Sequence, residues 1–389
     1  MFARSVLAAL LVLAAGGAAS ACPFCSSQGQ TLSGEVQQAD LIVLGKLGNP
    51  KPDPADPTKG TTELTVDAVV KPHDYLKNKP VLTLPKFLPA AAGGDGLFLI
   101  YAAVFSKDGS TVFDPYRGVP VRPDSQLPKY LQGAIAVREK DTAQRLRYFF
   151  DYLDNADPEI AADALMEFGN TDYKDVRELA KTLPADRVLK WLRDPSTPPS
   201  RYGLYGLFLG HCGKPADAPA VRALLDDPVK SKSSGMDGLL ASYTLLDPAA
   251  GWAYLRQLLS DPAQEFSTHY AGLKALRFFW EFRPDVLKPE QVLDGMKLLV
   301  AQKELADLPM DDLRKWGRWE LTDYVLGFAG KESHNKVPIV KRAILKFALS
   351  APKENAAAKA YVEQVRKDDP DRVKYVEQLL ADERTPDKK

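Results

Sequence analysis

The 389-residue chain has little cysteine, no net charge and few long apolar runs. Its 51 Lys and Arg residues balance 51 Asp and Glu residues, so no overall field draws it to nucleic acid or to an anionic membrane. Three cysteines are too few for a disulfide-rich scaffold, so the domains must be stabilised mainly by apolar burial. Beyond the first 21 residues no run approaches the ~18 apolar residues that span a bilayer. We expect globular domains and no nucleic-acid partner.

Motifs that carry familiar chemistry are also missing from the sequence. It contains no G-x-S-x-G nucleophile elbow, no H-E-x-x-H zinc motif and no P-loop. His73, His211, His269 and His334 are scattered, and none pairs with another ligand at metal-binding spacing. His211 and the adjacent Cys212 would point about 100° apart on a helix, which favours a buried or capping role. We expect a protein that is not an enzyme and that holds no metal or cofactor.

The first 21 residues have the pattern of a secretory signal peptide. Arg4 precedes an apolar run, and small residues then end in Ala19-Ser-Ala21, an A-x-A cleavage pattern. The mature chain would begin at Cys22. A cysteine at this place also fits a lipoprotein, although Ala19 stands where a lipobox usually has leucine. We expect an extracytoplasmic protein, periplasmic or secreted, which is held at a membrane only if Cys22 carries lipid.

Residues 22–121 have the sequence pattern of a small β domain. Short runs of branched and aromatic residues lie between clusters of Pro, Gly and Asp, as strands do. Lys107-Asp-Gly-Ser110 predicts a tight hairpin, because Asp-Gly accepts the positive φ angles of such a turn. We interpret residues 48–60, with four prolines, as a long loop between the first two strands. The predicted strands are 40–47, 63–70, 80–84 and 97–105.

From about residue 140 the apolar period becomes helical, and the chain repeats itself. Three segments align without gaps and end in Asp-Pro: Val188-Leu-Lys-Trp-Leu-Arg-Asp-Pro195, Val221-Arg-Ala-Leu-Leu-Asp-Asp-Pro228 and Leu255-Arg-Gln-Leu-Leu-Ser-Asp-Pro262. Their prolines are 33 and 34 residues apart, and Asp157-Pro158 lies 37 residues before the first of them. A recurrence of this length is typical of a two-helix solenoid unit, in which Asp and Pro end one helix before the next begins.

A partner helix is predicted between each two Asp-Pro helix ends. Each of these segments has an apolar stripe that only neighbouring repeats can bury. A repeated Tyr-Val-Glu-Gln, at 361–364 and 375–378, belongs to a charge-rich pair that suits a polar cap. We therefore predict a linker over 122–140, an α-solenoid over 141–382 and a flexible tail over 383–389. The predicted partner helices are 160–168, 202–209, 239–246 and 270–282, then 313–328 with 339–349, and 358–365 with 373–380.

Two family resemblances follow from these motifs. Residues from about 157 to 350 resemble HEAT-type repeats in their unit length and in the Leu-Leu-x-Asp-Pro endings of their helices. Residues 22 to about 105 look like the netrin-type, TIMP-like OB barrel. The matching features are the cysteine pair after the leader, Ala39-Asp40-Leu-Ile-Val-Leu-Gly-Lys46, a long loop, Val66-Asp-Ala-Val-Val-Lys71 and a closing strand at 98–101. Together they imply an α+β protein with a small N-terminal OB-like β barrel followed by an α-solenoid.

The local motif with a chemical interpretation is Cys22-Pro-Phe-Cys25. In the TIMP-like family, the α-amine and carbonyl of the first mature cysteine chelate the zinc of a target protease, so the resemblance implies a metalloprotease inhibitor acting through Cys22. A C-x-x-C pair is also the pattern of a redox dithiol, although the usual strand-to-helix setting is missing here. The simplest interpretation is a structural disulfide, formed either within the pair or from one member to Cys212.

Aromatic residues in the repeats mark a second kind of candidate. Consecutive aromatic side chains cannot all face one core, so at least one of Phe278, Phe279 and Trp280 should be partly exposed. Such residues either pack between repeats or anchor a partner on the concave face of a solenoid. We expect an exported, non-enzymatic scaffold that binds a protein or peptide, with protease inhibition and thiol-disulfide exchange as alternatives. The candidate partner contacts are Phe279, Trp280, Arg283, Trp316, Arg318 and Trp319.

Overall fold

The computed structural model describes residues 22–25, 29–88, 96–230 and 232–384, without the side chains of 57 and 58. These residues form one antiparallel β-sheet of five strands and eighteen α-helices, one of which precedes the sheet. The predicted order of a β region followed by helices is therefore confirmed. Among the helices described, none is both long and apolar enough to cross a membrane. The predicted signal peptide and C-terminal tail lie outside the described residues, the tail from residue 385 onward.

Two compact units make up the chain. Of the described residues, the first, which we call the sheet unit, comprises 22–23, 29–88 and 96–176. The second, the helical unit, comprises 24–25, 177–230 and 232–384. Residues 122–140, which we expected to link two domains, contain a helix that belongs to the sheet unit.

The sheet has the strand order β3-β2-β1-β4-β5, and every neighbouring pair is antiparallel. Its strands are β1 Leu41–Asp53, β2 Asp56–Lys71, β3 Val81–Leu84, β4 Leu97–Lys107 and β5 Ser110–Val121. The edge strands β3 and β5 do not pair with each other in the described residues, so the sheet is open there. Leu41, Val43, Leu64 and Ile100 lie in its core. The predicted hairpin between β4 and β5 is confirmed, with positive φ angles at Asp108 and Gly109.

The expected loop over 48–60 is wrong, because β1 and β2 continue through it and meet in a tight turn. Prolines are tolerated in this ribbon because its pairing is irregular, with register shifts between Gly48 and Lys51 and between Pro52 and Asp53. Gly60 has a φ of +147°, and a Cβ there would lie 2.2 Å from the Lys51 carbonyl oxygen. The two strands of this turn therefore approach so closely that glycine is needed at position 60. The four prolines of this segment had instead predicted a loop.

Five helices complete this part of the chain, and the last of them runs across the boundary between the units. The short α1 precedes the sheet, and Thr31 caps it by accepting a hydrogen bond of 2.8 Å from the Gly34 N–H. The helix α2 packs near the sheet, where the Gln132 amide donates to the Val69 carbonyl at 3.0 Å. These helices are α1 Leu32–Glu35, α2 Leu127–Val137, α3 Thr142–Phe150, α4 Pro158–Gly169 and α5 Tyr173–Ala180.

Thirteen further α-helices form the rest of the helical unit. They are α6 Ala185–Arg193, α7 Tyr202–Cys212, α8 Ala218–Asp226, α9 Met236–Leu246, α10 Pro248–Ser260, α11 Phe266–Phe282, α12 Pro289–Val300, α13 Asp307–Lys315, α14 Thr322–Leu326, α15 Glu332–Asn335, α16 Pro338–Ser350, α17 Ala356–Asp368 and α18 Pro370–Arg384. Single 3₁₀ turns occur at Asp74–Leu76, Pro199–Arg201, Pro215–Asp217 and Trp319–Leu321. The helices α7 and α9 are buried along most of their length. They approach closely through small residues, since a Cβ on Gly206 would lie 2.7 Å from the Gly238 carbonyl oxygen.

The three aligned Asp-Pro segments have the same local structure. The helices α6, α8 and α10 end immediately before the aspartate of each segment, so the predicted helix ends are confirmed. In each case the carboxylate accepts a hydrogen bond from the N–H two residues further on, an Asx turn that ends the helix. These bonds are Ser196 N–H to Asp194 at 2.8 Å, Val229 N–H to Asp227 at 2.9 Å and Ala263 N–H to Asp261 at 2.9 Å. Asp157 differs, because it caps the start of α4.

Candidate functional site

The cysteine pair singled out in the sequence is oxidised. Cys22 and Cys25 are both disulfide-bonded, and Cys212 is free, so the alternative in which Cys212 takes part is wrong. Cys22 is only 3% exposed. Burial raises the pKa of the Cys212 thiol to about 11, which keeps it protonated and unreactive at neutral pH.

Phe24, between the two cysteines, packs in the core of the helical unit. It is 4% exposed, and its ring centroid lies 4.8 Å from that of Phe278 on α11. Its carbonyl oxygen lies against Gly203 of α7, where a Cβ would be only 2.4 Å away. Only glycine leaves room for this approach. Phe24 is therefore an anchoring residue, a role that the C-x-x-C pattern does not indicate.

Trp280 and Trp316 stack on each other in the helical unit. Their ring centroids are 4.3 Å apart and the planes are nearly parallel, at 14°. Both side chains are partly exposed, and the Arg318 guanidinium lies 5.7 Å from the Trp280 ring. Three of the six predicted partner contacts thus form one cluster. We call Trp280, Trp316 and Arg318 the tryptophan patch.

The end of α13 positions two members of this patch, Trp316 and Arg318. We predicted one helix over 313–328, but α13 ends at Lys315 and α14 begins at Thr322. Gly317 has a φ of +66°, its N–H donates to the Arg314 carbonyl at 3.0 Å, and the Arg318 N–H donates to the Leu313 carbonyl at 2.9 Å. These two bonds define a Schellman motif with glycine at the position that needs positive φ. Basic residues in the last turn followed by glycine are a helix-stop signal, and Arg314-Lys315-Trp-Gly317 carries it.

The other three predicted contacts lie apart from the stacked pair. Phe279 is fully buried, which confirms that only some of the consecutive aromatic residues are exposed. Trp319 packs edge to face on Phe347, with ring centroids 5.2 Å apart. Arg283 makes two hydrogen bonds of 2.8 Å to the Asp285 carboxylate. The structure thus divides the six candidates into a core residue, two residues with local partners and the patch itself.

Basic residues around the tryptophan patch are paired with carboxylates. Ion pairs of 2.7 Å join Arg277 to Asp312 and Lys315 to Asp311, and Arg318 lies 3.2 Å from Glu320. Burial raises the pKa of Asp312, while the hydrogen bond from Arg277 opposes that rise. The local charges are therefore largely balanced, and the distinctive exposed feature is the pair of indole rings.

A buried polar cluster in the sheet unit was not foreseen. The Asp163 carboxylate on α4 is 3% exposed. It accepts hydrogen bonds from the Leu32 N–H at 2.5 Å, the Ser33 hydroxyl at 2.7 Å and the Tyr130 hydroxyl at 2.8 Å. Burial raises the pKa of Tyr130, and the negative charge of Asp163 raises it further. We call these four residues the Asp163 cluster.

The Asp163 cluster has a structural explanation. Its carboxylate receives the N–H groups at the start of α1, which otherwise have no partner within so short a helix. Glu167, one turn further along α4, accepts hydrogen bonds from the hydroxyls of Thr31 at 2.5 Å and Ser33 at 2.8 Å. The donors and acceptors satisfy one another, so the arrangement caps and fixes α1. The partners lie about 130 residues apart in sequence, so local patterns give no signal for it.

Metal-ligating side chains and His211 add no further candidate site among the described residues. Among the residues described, no group of three or more His, Cys, Asp and Glu side chains is placed to hold a metal ion. Burial lowers the pKa of His211 to about 3, and the nearby positive charge of Arg283 contributes. His211 is therefore neutral at physiological pH.

No protein-family model matches the chain, and neither a curated protein nor a solved structure matches it. The HEAT-type and TIMP-like resemblances therefore depend on the sequence motifs alone. The structure itself shows the coarser architecture, an antiparallel sheet followed by a series of helices with recurring ends.

Proposed function

We propose that the protein is an exported, non-enzymatic scaffold that binds a protein or peptide through its helical unit. The observation that carries this proposal is the tryptophan patch, where two stacked indoles remain partly exposed beside a guanidinium. Trp and Arg are the residues most enriched at the energetic centres of protein interfaces. A pair already stacked in the free protein loses little side-chain entropy on binding, because its rings are fixed before the partner arrives.

The proposal takes the helical unit to be an α-solenoid of HEAT-like repeats. It is supported by the three helix ends with the same Asx turn, whose prolines recur at 33 and 34 residues. We also propose an OB-like domain for residues 22–121, supported by the antiparallel pairing of all five strands. Export is supported by the leader pattern of residues 1–21, with Cys22 as the first mature residue. Lipid on Cys22 would make the scaffold membrane-anchored.

The alternatives through Cys22 and Cys25 have less support. Chelation of a protease zinc needs an accessible α-amine and carbonyl at the first residue, whereas Cys22 is 3% exposed. Thiol exchange needs an accessible thiolate, whereas both cysteines are disulfide-bonded and Phe24 between them is buried. These observations favour a structural disulfide.

Site-specific photocrosslinking in the native host tests the proposal. A photoreactive amino acid replaces Lys315, which is 60% exposed beside Trp316, or Lys336, which is 74% exposed outside the patch. We expect irradiation to give a discrete adduct from position 315 and none from position 336. N-terminal sequencing of the same exported sample shows whether the mature chain begins at Cys22 and whether that residue carries lipid.

A pair of variants assigns the adduct to the tryptophan patch. Trp280→Ala with Trp316→Ala should reduce its yield at least about tenfold, since two interface anchors typically contribute more than 1 kcal/mol each. Trp252→Ala, at another partly exposed tryptophan of the helical unit, should leave the yield unchanged. Equal yields from positions 315 and 336, or an adduct that survives the double variant, would contradict the proposal.

A further inference from the structure

A small cavity of about 60 Å³ lies in the sheet unit, where residues of α1, α2, α3 and α4 line it. Part of its lining is apolar and includes Val36 and Phe149, which are buried. The charged side chains of the lining are those of Arg138, Arg145 and Glu167. A ligand that suits this lining combines a short apolar part with a charged group.

Arg145, on α3, is the member of this lining that points to a ligand. Its side chain is half-buried, and its Nε is buried without a hydrogen-bond partner among the described residues. A guanidinium does not lose its proton at physiological pH, so Arg145 cannot avoid the cost by becoming neutral. Buried donors without an acceptor are uncommon in folded proteins. The unpartnered Nε is therefore a sign, independent of the cavity's shape, that an anion pairs with this guanidinium.

A second guanidinium, that of Arg138, follows directly on the end of α2. It lies 3.5 Å from the Glu139 carboxylate, but the two side chains are 46% and 89% exposed, so this ion pair is weak. Burial lowers the pKa of the neighbouring Lys71 and the positive charge of Arg138 lowers it further, against the opposing charge of Asp40. The Lys71 ammonium donates to two backbone carbonyls, one of them that of Val36 in the cavity lining. This surplus of positive charge favours an anion.

Glu167 and the size of the cavity limit what this anion is. The hydroxyls of Thr31 and Ser33 both donate to Oε1 of Glu167, which compensates part of its charge. A doubly charged ligand such as phosphate would still be repelled more strongly than a singly charged one. One water needs roughly 10–15 Å³ of such space, so 60 Å³ admits about four to six non-hydrogen atoms. These limits favour a carboxylate on a short aliphatic stem.

We propose that this cavity binds a carboxylate group on an aliphatic stem of about one to three carbons. The carboxylate pairs with the guanidinium groups of Arg145 and Arg138, and the stem packs on Val36 and Phe149. A free short-chain acid and the tip of a glutamate side chain both have this chemistry. Every lining residue belongs to the sheet unit, so the inference does not depend on the tryptophan patch.

Saturation-transfer NMR titration of the full-length protein with propionate tests the site. We expect saturable binding with a Kd below about 5 mM. Propionamide has nearly the same shape without the charge, and should bind at least about fivefold more weakly. Hexanoate adds three methylenes, which on an open apolar surface would raise the affinity up to about fifty-fold. A cavity of this size leaves them outside, so the affinity should change by less than about threefold.

A second titration distinguishes the two sources of the carboxylate. The probe is N-acetyl-Gly-Glu-Gly-amide, in which glutamate carries the only charge, with the Gly-Gln-Gly analogue as its control. Affinity for the glutamate peptide at least about tenfold above that for propionate assigns the site to an acidic side chain of a partner. Tighter binding of propionate assigns it to a free acid.

Arginine variants connect the binding to the cavity. Arg145→Gln should weaken propionate binding at least about fivefold, and Arg138→Gln about threefold because its side chain is more exposed. Arg147→Gln is the matched control, since Arg147 is an exposed arginine of α3 outside the cavity lining, and it should leave the affinity unchanged. All three variants should keep the circular-dichroism spectrum of the parent protein, because each removes a charge without a buried counter-ion.

Four outcomes would overturn the proposal. They are no saturable binding of either propionate or the glutamate peptide up to about 20 mM, equal affinity for propionamide, a gain of about fifty-fold for hexanoate, and equal affinities of the Arg145→Gln, Arg138→Gln and Arg147→Gln variants.

Discussion

Two short segments of the described chain, around Phe24 and around Leu32, are anchored in opposite ways. In the sheet unit, Leu32 and Ser33 are held by hydrogen bonds to the buried carboxylate of Asp163. In the helical unit, Phe24 is held by ring packing on Phe278 and by close contact with Gly203. A polar anchor depends on charge and donor geometry, whereas an apolar anchor depends on volume. The two should therefore respond differently to substitution.

The largest effect is expected from Asp163→Ala. The change leaves the Leu32 N–H and the hydroxyls of Ser33 and Tyr130 without their acceptor in a buried site. We expect a loss of about 4 kcal/mol in the free energy of opening around α1, because several buried donors become unsatisfied together. Hydrogen-exchange mass spectrometry of peptides that cover 29–38 measures this loss directly.

Asp163→Asn separates charge from shape in the same cluster. It preserves the volume and one acceptor oxygen, so we expect a smaller loss than for alanine. Glu139→Ala, at a side chain that is 89% exposed, should leave exchange around α1 unchanged. An alanine variant at 163 whose α1 amides exchange as slowly as in the parent protein would show that the cluster does not anchor this helix.

The next effect is expected from Phe24→Ala, which removes the apolar anchor. Truncating a buried phenylalanine typically costs about 3 kcal/mol, because it loses apolar contacts and leaves a cavity. All five tryptophans lie in the helical unit, so tryptophan fluorescence during urea unfolding reports on that unit. Phe266→Ala, at a phenylalanine that is 48% exposed, should shift the free energy of unfolding by less than about 0.5 kcal/mol.

Phe24→Leu should recover much of the lost stability, since an apolar anchor needs volume more than a particular chemical group. Equal stability of Phe24→Ala and the parent protein would mean that Phe24 packs on Phe278 and Gly203 without stabilising the helical unit. The anchoring role of Phe24 would then have to be abandoned.

Sequence patterns predicted what is local in this fold. The strands, the Asp-Gly hairpin and the Asp-Pro helix ends each depend on a few adjacent residues. The path over 48–60 was mispredicted because composition suggested a loop, while the pairing of two long strands decided the structure. The Asp163 cluster and the Trp280–Trp316 stack join residues far apart in sequence, so only the folded chain shows them.

The smallest effect is expected at the Asx turns. Their aspartates accept hydrogen bonds from backbone N–H groups, as Asp163 does, but they are not buried. Hydrogen bonds to the ionised carboxylates hold the pKa of each aspartate below its ordinary value of 3.8. A folded-state pKa below the unfolded one gives stability that is present above pH 3.8 and is lost as the pH falls through the folded value. The largest contributions come from the Ser196 hydroxyl at Asp194, the Lys230 N–H at Asp227 and the Ala263 N–H at Asp261.

Replacing Asp194, Asp227 and Asp261 together by asparagine tests this sign. The variant should unfold at lower urea than the parent at pH 7, and the difference should shrink as the pH is lowered below about 4. Asparagine keeps an acceptor oxygen, so the substitution removes only the part of the stabilisation that depends on the negative charge. Glu363→Gln, at an exposed carboxylate on α17, should show no such pH-dependent difference. A difference that persists unchanged at pH 2.5 would mean that ionisation of these carboxylates does not stabilise the helix ends.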